Sequence, residues 1–365
     1  MSPGFRKRLL QLHLAVGLTV GVVVTVMAAT GAWMVFRPQL EKQFYPEMLR
    51  ATPGEVRAPL DVLAANAKAA YPNHTFSQIR FWSEPTRPAM IRCGNSDQIY
   101  LDPWTGRVLG MQNRYRGLFG RAEDIHRYFS LNADIGRQIT GIAAFALVFL
   151  VLSGLVLWVP PVWRGLKAAL AINGKLSGRA KLLNWHKTVG VFVGVFAVLS
   201  ALTGLPHAYH WYEVGMYRIV GSEPPSAPAA SPVTEGQQRL PLEDIWQKAR
   251  AALPDYHSAN VYFPKAKSNA VEIWIVGADA PHPHARSLFH VDAVTGTMLR
   301  AVPWAEASAG HKLFYWGLAW HLGQAWGLPG QIFALIVTLG VPVLAVTGTL
   351  AWLRRRRAGG EASFA

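Results

Sequence analysis

The sequence predicts an α-helical membrane protein with four transmembrane helices, arranged as a parallel pseudo-two-fold repeat that bears two outward α+β modules. Three observations predict this fold: four long apolar stretches, basic residues near their ends, and a set of motifs that occurs twice. The chain has 365 residues, of which 51% are hydrophobic and 16% charged. This balance is typical of a membrane protein with sizeable soluble parts.

Each of the four apolar stretches is long enough to cross a bilayer as a helix, which takes about 20 residues. The first follows Arg6-Lys7-Arg8, as a secretory signal would. Its apolar run is much longer than that of a signal, so we interpret it as a retained helix. The stretches run approximately over Leu9–Phe36, Ile139–Val159, Val189–Tyr209 and Ile332–Leu353.

Basic residues in the short connecting segments predict the orientation. The N-terminus, the segment between helices two and three, and the Arg354–Arg357 tail are all rich in them. Both termini are therefore expected in the cytoplasm, and the two long loops on the outer side. Much of the formal net charge of +15 is then explained by topology and by attraction to anionic lipid. The lipid bilayer is the expected partner, and no nucleic acid is expected.

These limits divide the chain into eight segments, so that each half consists of a helix, an outer module and a return helix. The two modules are each expected to include a helix on the membrane surface. The predicted segments are the first transmembrane helix over 1–36, the first module over 37–136, the second helix over 137–159, a basic cytoplasmic loop over 160–184, the third helix over 185–210, the second module over 211–330, the fourth helix over 331–353, and a basic cytoplasmic tail over 354–365.

The first and third helices share a motif in which a histidine is followed by glycines at identical spacing. Because both helices are predicted to start on the cytoplasmic side, the repeat is parallel, about an axis along the membrane normal. The matched positions, all at one offset, are His13 and His186, Gly17 and Gly190, Gly21 and Gly194, and Thr30-Gly31 and Thr203-Gly204.

The outer segments repeat as well. PLDVLAANAKAAYPNH, from Pro59, and PLEDIWQKARAALPDYH, from Pro241, each predict a short helix. IYLDPWTGRVLG and FHVDAVTGTMLR each predict a β-hairpin that turns at Asp-x-x-Thr-Gly. Farther on, the matched positions are His126 and His321, Gly154 and Gly348, and Trp158 and Trp352.

The chain has one cysteine, Cys93. A single cysteine excludes an internal disulfide, a cysteine-ligated zinc or iron–sulfur cluster and a C-x-x-C-H haem attachment. A haem in this chain would have to be held non-covalently, by side chains such as histidine.

The repeated motifs resemble the PepSY-associated transmembrane (PepSY_TM) family over essentially the whole chain. The resemblance rests on helices that open on Leu-x-x-His-Leu or Asn-Trp-His-Lys-x-x-Gly, on the Asp-x-x-Thr-Gly modules, and on a return helix that ends Thr-Gly-x-x-x-Trp. Within the family, the chain looks similar to inner-membrane ferric-siderophore reductases of the FoxB type. This resemblance implies two PepSY-like periplasmic modules, a multi-pass protein of the bacterial inner (cytoplasmic) membrane, and two bis-histidine haems b per chain.

The first candidate haem site joins His13 and His186, which are predicted at equal depth on symmetry-related helices. Two such imidazoles can supply both axial ligands of one haem iron. Gly17 and Gly190 lie one turn deeper on the same faces and would let a flat macrocycle approach the backbone. Two alternatives stay open: the glycines can pack helices without any cofactor, and a histidine at a helix end can be interfacial.

The second candidate site joins His126 and His321, each about ten residues before a membrane helix. A helix-breaking segment is predicted after each of them, over Asn132–Gly136 and Gly327–Gly330. His311 and His207 are alternative outer ligands, although neither has a counterpart in the other half. The string APHPHARSLFH, from Ala280, is interpreted as a solvated turn more readily than as a metal site.

Two histidine pairs, one near each face, predict electron transfer across the membrane from an inner haem to an outer haem, and the resemblance implies an oxidoreductase whose acceptor is a ferric siderophore in the periplasm. Reduction releases the iron, since hard oxygen ligands bind Fe(II) more weakly than Fe(III). No nucleotide or flavin motif is present, so the donor is expected to be quinol or a separate cytoplasmic flavoprotein. No catalytic residue stands out. The alternatives are a haem-free, membrane-anchored PepSY binding or regulatory protein and an iron-chelate transporter.

Overall fold

The computed structural model describes residues 2–94, 96–159, 165–225, 231–233 and 236–361. Parts of the predicted basic loop (160–164) and of the predicted tail (362–365) lie outside these residues. The chain divides into two compact units. The helical unit consists of Met1–Val35, Arg121–Glu213 and Trp320–Ala365, and the sheet unit of Phe36–Gly120 and Val214–Ala319.

Helices and strands alternate in blocks along the described residues. The helices are α1 (Pro3–Met34), α2 (Arg37–Phe44), α3 (Pro46–Leu49), α4 (Leu60–Ala70), α5 (Gly117–Tyr128), α6 (Ala133–Trp158), α7 (Leu166–Ala169), α8 (Gly178–Gly204), α9 (His210–Ile219), α10 (Leu242–Ala252), α11 (Ala309–His321) and α12 (Gly327–Glu361), with 3-10 turns at Leu205–His207 and Trp304–Glu306. The strands are β1 (Phe76–Trp82), β2 (Ala89–Cys93), β3 (Asp97–Leu101), β4 (Val108–Asn113), β5 (Tyr256–Tyr262), β6 (Ala270–Gly277), β7 (Arg286–Asp292) and β8 (Met298–Val302).

The four long helices of the helical unit, α1, α6, α8 and α12, are each long and apolar enough to cross a membrane. They pack as a ring in which α1 and α8 each contact both α6 and α12. Small and β-branched side chains such as Ala28, Ala143 and Val193 fill the centre, as expected where membrane helices approach closely. Large apolar side chains point outward, among them Val22, Phe192 and Ile336. This outward apolar surface suits a lipid environment.

The membrane helices begin earlier or end later than their apolar cores predict. The segments predicted as breakers lie in the first turns of helices: α6 begins at Ala133 and α12 at Gly327. A bend lies before the first segment, at Phe129 with φ 53°, whereas the second segment is preceded by a bend at Gly323 with φ 69° and itself begins with one, at Gly327 with φ 61°. Likewise α8 begins at Gly178 and α12 continues past the arginine run. The reason is that lysine and arginine favour helices, whereas a hydropathy window measures only the part that suits lipid.

The sheet unit is built on one eight-stranded antiparallel sheet, in the order β4-β3-β2-β1-β5-β6-β7-β8. Two predicted modules are therefore joined edge to edge, through β1 and β5, with Arg80 opposite Asn260 at the seam. This pairing satisfies backbone groups that two isolated sheets would each leave open at an edge. Both predicted short helices, α4 and α10, contribute to a single core with the strands, including Leu63, Ile245 and Ile273.

The two predicted hairpins are confirmed, as β3–β4 and β7–β8. In the first turn, Asp102 Oδ1 accepts hydrogen bonds from the backbone N–H groups of Trp104 and Thr105, at 2.8 and 3.2 Å. Asp292 does the same in the second turn, at 2.8 Å for both bonds. Gly106 has φ +72°, a conformation that glycine adopts without steric cost. The Asp-x-x-Thr-Gly pattern thus stabilises each turn locally.

The short helices α4 and α10 cap one another. The Glu243 carboxylate of α10 accepts a hydrogen bond from Leu60 N at 3.0 Å. The Asp61 carboxylate of α4 accepts from Leu242 N and Glu243 N, at 2.8 and 2.9 Å. Each carboxylate therefore accepts hydrogen bonds from N-terminal amides of the opposite helix that would otherwise be unpaired. The helix dipole also favours a negative charge at this end.

We expect Asp61→Ala to cost about 1–2 kcal/mol of stability, as loss of a good N-cap does. The effect should be local, because the amides that lose their partner are those at the start of α10. Hydrogen exchange of the Leu242 and Glu243 amides in the full-length protein is the measurement. Asp255→Ala, at an exposed aspartate of the same unit, is the control. Equal exchange in the two variants would contradict the capping role.

Candidate functional site

The first histidine pair is formed by His13 on α1 and His186 on α8. Their ring centroids lie 6.2 Å apart, with an angle of 90° between the ring planes. Two imidazoles that share one metal ion have ring centres about 6 Å apart, since each metal–nitrogen bond is about 2 Å long and each ring adds about 1 Å. The separation therefore fits two axial ligands of one iron.

The second histidine pair is formed by His126, near the end of α5, and His321, the last residue of α11. Their ring centroids lie 6.1 Å apart, with 62° between the planes. The structure thus brings together both pairs that the sequence repeat matches. Both residues are half-buried, and desolvation is the main reason that the pKa of His126 falls to about 4 and that of His321 is also lowered. Both imidazoles are neutral at pH 7, the form that binds metal.

Each of the four histidines rests on a short helical segment that we call its seat. A seat is the helical turn that ends in a Ser-Gly or Thr-Gly dipeptide. The seats are Leu150–Gly154 for His13, Leu344–Gly348 for His186, Met27–Gly31 for His126, and Ser200–Gly204 for His321.

Each seat accepts a hydrogen bond from the Nδ1 atom of its histidine. For three histidines the acceptor is the carbonyl four residues before the glycine: Nδ1 lies 3.0 Å from Leu344 O for His186, 2.8 Å from Met27 O for His126 and 2.9 Å from Ser200 O for His321. His13 Nδ1 lies 2.9 Å from the Ser153 hydroxyl, which in turn donates to Leu150 O. Because a carbonyl oxygen only accepts, Nδ1 bears the proton, and Nε2 keeps its lone pair for a metal.

The glycine of each seat lets the imidazole lie against the helix backbone. A Cβ placed on Gly204 would lie 2.9 Å from His321 Cε1, and one on Gly348 would lie 3.1 Å from His186 Cε1. The corresponding distances are 3.3 Å for Gly31 to His126 and 3.4 Å for Gly154 to His13. An added Cβ would force a shift at Gly204 and would be tight at Gly348 and Gly31, whereas at Gly154 it would make an ordinary van der Waals contact.

A cavity of about 380 Å³ opens at the first pair, within the ring of membrane helices. Its wall is mostly apolar, and Gly17 and Gly190, the predicted haem-packing glycines, lie on it with His13 and His186. A large apolar space with few polar groups is typical of a cofactor site. Four basic residues also line it: Arg6, Arg179, Lys187 and Arg355. The residues therefore fit a flat apolar group with negatively charged substituents, as a haem with its propionates is.

The second pair is more tightly enclosed. A cavity of about 40 Å³ lies on the His321 side, lined by aromatic residues that include Trp320, Trp326 and Phe333. Ring separation and seats at this pair match those of the first pair. A macrocycle needs more room than this cavity offers, so binding there requires neighbouring side chains to move.

The two alternative outer ligands differ in their surroundings. His207 lies with the second pair, its ring centroid 6.4 Å from that of His321. His311 belongs to the sheet unit, where its Nε2 lies 2.8 Å from Arg286 O and its ring stacks on Trp274 at 5.8 Å. That hydrogen bond occupies Nε2, so that only Nδ1 would remain for a metal. Among the described residues, no group of three or more His, Cys, Asp or Glu side chains could hold a metal ion, including the APHPHARSLFH segment.

Reasoning from the sequence matched Thr30-Gly31 with Thr203-Gly204 and Gly154 with Gly348, but it did not predict that these turns contact the histidines. Gly17 and Gly190 were predicted as haem-packing residues because each lies four residues after a histidine on the same helix. The glycines that contact the imidazoles lie on other helices. A signal was available: each membrane helix contains one of the dipeptides Ser153-Gly154, Thr347-Gly348, Thr30-Gly31 and Thr203-Gly204, although α6 also contains Thr140-Gly141.

The sequence profile of the family described as the PepSY-associated TM region matches residues 10–355. This match includes all four histidines of the two pairs, their seats and the whole sheet unit. No curated protein sequence matches the chain. The match extends over nearly the whole chain, and its four apolar helices agree with a membrane region. The chain belongs to the family of membrane proteins with a PepSY-associated TM region.

Proposed function

We propose that the protein is a di-haem b oxidoreductase of the bacterial inner membrane, which reduces the ferric iron of siderophores on the periplasmic side and releases Fe(II). The observation that best supports this function is the presence of two histidine pairs. In each pair the ring centroids lie as far apart as two ligands of one metal ion would, and both rings are held on equivalent seats. A purely structural anchor requires no such matched set.

The spacing of the pairs supports transfer across the membrane. On α1, His13 belongs to the first pair and Gly31, 18 residues later, to a seat of the second. That interval corresponds to a rise of about 27 Å, close to the bilayer's hydrocarbon thickness of about 30 Å. On α8, His186 and Gly204 are separated by the same interval. One pair would thus lie near each face, with both termini in the cytoplasm, where the basic residues favour them.

Internal symmetry supports the parallel pseudo-two-fold repeat with two PepSY-like modules. On each side of the β1–β5 seam, four strands follow one another outward in chain order, β1 to β4 on one side and β5 to β8 on the other. Asp61 and Glu243, at equivalent places in the repeat, cap each other's helices. The seats also lie on equivalent helices in the two halves. The seats of His13 and His186 lie on α6 and α12, and those of His126 and His321 lie on α1 and α8.

When bound, haem b would supply one-electron redox chemistry. His13 and His186 would hold one haem, and His126 and His321 the other. The seats hold the Nδ1 protons and so orient the four rings, while the apolar helices exclude water. We propose that the electron donor is quinol in the bilayer or a separate cytoplasmic flavoprotein.

The test is a reduced-minus-oxidised absorption spectrum of the purified full-length protein in detergent, with a haem-to-protein ratio. We expect a low-spin b-type spectrum and about two haems per chain. Protein from haem-replete cells that is colourless, and that does not take up added haem, would exclude this function. The haem-free anchored binding protein would then be the better account.

A further inference from the structure

The two faces of the eight-stranded sheet differ in chemistry. One face packs on α4 and α10 through apolar side chains such as Ile79 and Ile273. Because side chains alternate along a strand, Arg80 and Trp274 project from the opposite face. The register places Arg80, Asn260 and Trp274 in one row across β1, β5 and β6. We call this opposite face, with Arg80, Trp82, Arg87, Arg92, Asn260, Trp274 and Arg286 on or beside it, the arginine face.

Arg80 lies at the centre of this face, on the strand that joins the two halves of the sheet. Its Nε atom is buried and forms no hydrogen bond with the described residues. No carboxylate among those residues forms an ion pair with it. Burial, followed by the nearby guanidinium groups of Arg286, Arg87 and Arg92, lowers the pKa of Arg80 to about 9. It still remains cationic at pH 7, and removing part of a cation from water without an anionic partner costs free energy.

Aromatic rings interleave with the cations. The Trp82 ring lies between two guanidinium groups, with the Arg87 Cζ 3.8 Å and the Arg80 Cζ 4.9 Å from its centroid. Arg286 Cζ lies 5.3 Å from the centre of the Tyr315 ring. These cation–π contacts fix the guanidinium planes but do not neutralise their charge. The planar donors of arginine therefore remain available to oxygen atoms.

The acids near this face are already engaged. Glu84 binds Lys42 Nζ at 2.9 Å and lies 4.0 Å from Arg87. Glu272 accepts a hydrogen bond from Trp274 Nε1 and lies 3.8 Å from His290 Nε2. Neither forms an ion pair with Arg80 or Arg286 within 4.0 Å. The face thus has excess positive charge at its centre, and Arg80, Arg87, Arg92 and Arg286 all keep partial exposure.

We propose that the arginine face binds an anionic iron(III) chelate, whose carboxylate or catecholate oxygens accept hydrogen bonds from Arg80 and Arg286. Guanidinium groups match such oxygens in geometry and charge, and the aromatic side chains suit the flat rings of a catecholate. This inference rests on the proposed function, which it deepens by naming negatively charged chelates as the substrate class. An anion at this position would also supply the partner that Arg80 lacks.

The test uses gallium(III) citrate, a redox-inert analogue of a ferric carboxylate chelate, with the full-length protein in detergent at low salt. Binding is measured by equilibrium dialysis and by the shift in melting temperature. We expect Arg80→Gln and Arg286→Gln each to weaken binding by about tenfold or more, the usual loss for a charged hydrogen bond. Arg107→Gln, at an exposed arginine of the same unit, should bind like the wild type.

A second readout separates binding from a structural role. Without ligand, Arg80→Gln should melt at or above the wild-type temperature, because it removes an unpaired charge that is partly shielded from water. A lower melting temperature together with unchanged binding would overturn the proposal. So would an absence of gallium citrate binding to the wild type, or equally tight binding of metal-free citrate. Gallium binding needs no electron, so a colourless protein that binds it would exclude the proposed reductase but not this site.

Discussion

Replacing His13 by alanine is expected to reduce the haem content from about two per chain to about one, and replacing His126 should do the same for the other haem. Each substitution removes one of the two axial ligands of a single pair, whose rings lie 6.2 and 6.1 Å apart. The measurement is the haem-to-protein ratio with a redox titration of each variant. The two variants should retain haems of different midpoint potential.

His210→Ala provides the control, because the His210 side chain is 82% exposed and belongs to neither pair. It should retain both haems. If the His13 and His126 variants kept the same remaining haem, the assignment of one haem to each pair would be wrong. A His207→Ala variant decides whether His126 or His207 is the partner of His321 at the second site. If His207→Ala lost the second haem and His126→Ala kept it, His207 would be the ligand.

The second large effect is expected from the glycine of a seat, which touches neither iron nor haem in our proposal. Gly204→Val should lower haem affinity at the second site by about 10- to 100-fold, the usual cost of disturbing a ligand's supporting group. Even a Cβ alone would lie 2.9 Å from His321 Cε1, so the ring must leave its seat. The measurement is haem content during titration with a competing apo-protein that binds haem.

Gly348→Val should act in the same way at the first site, through His186. The matched control is Gly215→Ala in α9, where an added Cβ would meet no atom within 4 Å. If both valine variants kept wild-type haem affinity at low-spin bis-histidine sites, the seats would have no part in orienting the ligands.

The repeated motifs in the sequence were sufficient to predict which histidines lie together, His13 with His186 and His126 with His321. The PepSY-associated family and the four apolar helices are confirmed. The partners of His13 and His186 could not be predicted, since Ser153 and Leu344 are far away along the chain and reach the rings only through helix packing.

The sheet was harder to predict than the helices. Each hairpin was evident from its local turn, where Asp102 and Gly106 satisfy the backbone within a few residues. The seam between β1 and β5 joins strands nearly two hundred residues apart, and strand pairing at that distance leaves no periodic trace in the sequence. Arg80 had no apparent role for the same reason, because its neighbours come from other strands.

The seats have one more consequence, for how the two sites influence each other. The rigid helix α1 holds His13 at one end and the Met27–Gly31 seat at the other, and α8 does the same with His186 and Ser200–Gly204. A small rotation of α1 about its own axis would shift a ligand of one pair and the support of the other together. If each pair holds a haem as proposed, filling one site would restrict that rotation and so hold the support of the second in place. The two sites are thus expected to load cooperatively, each raising the other's affinity by the same factor.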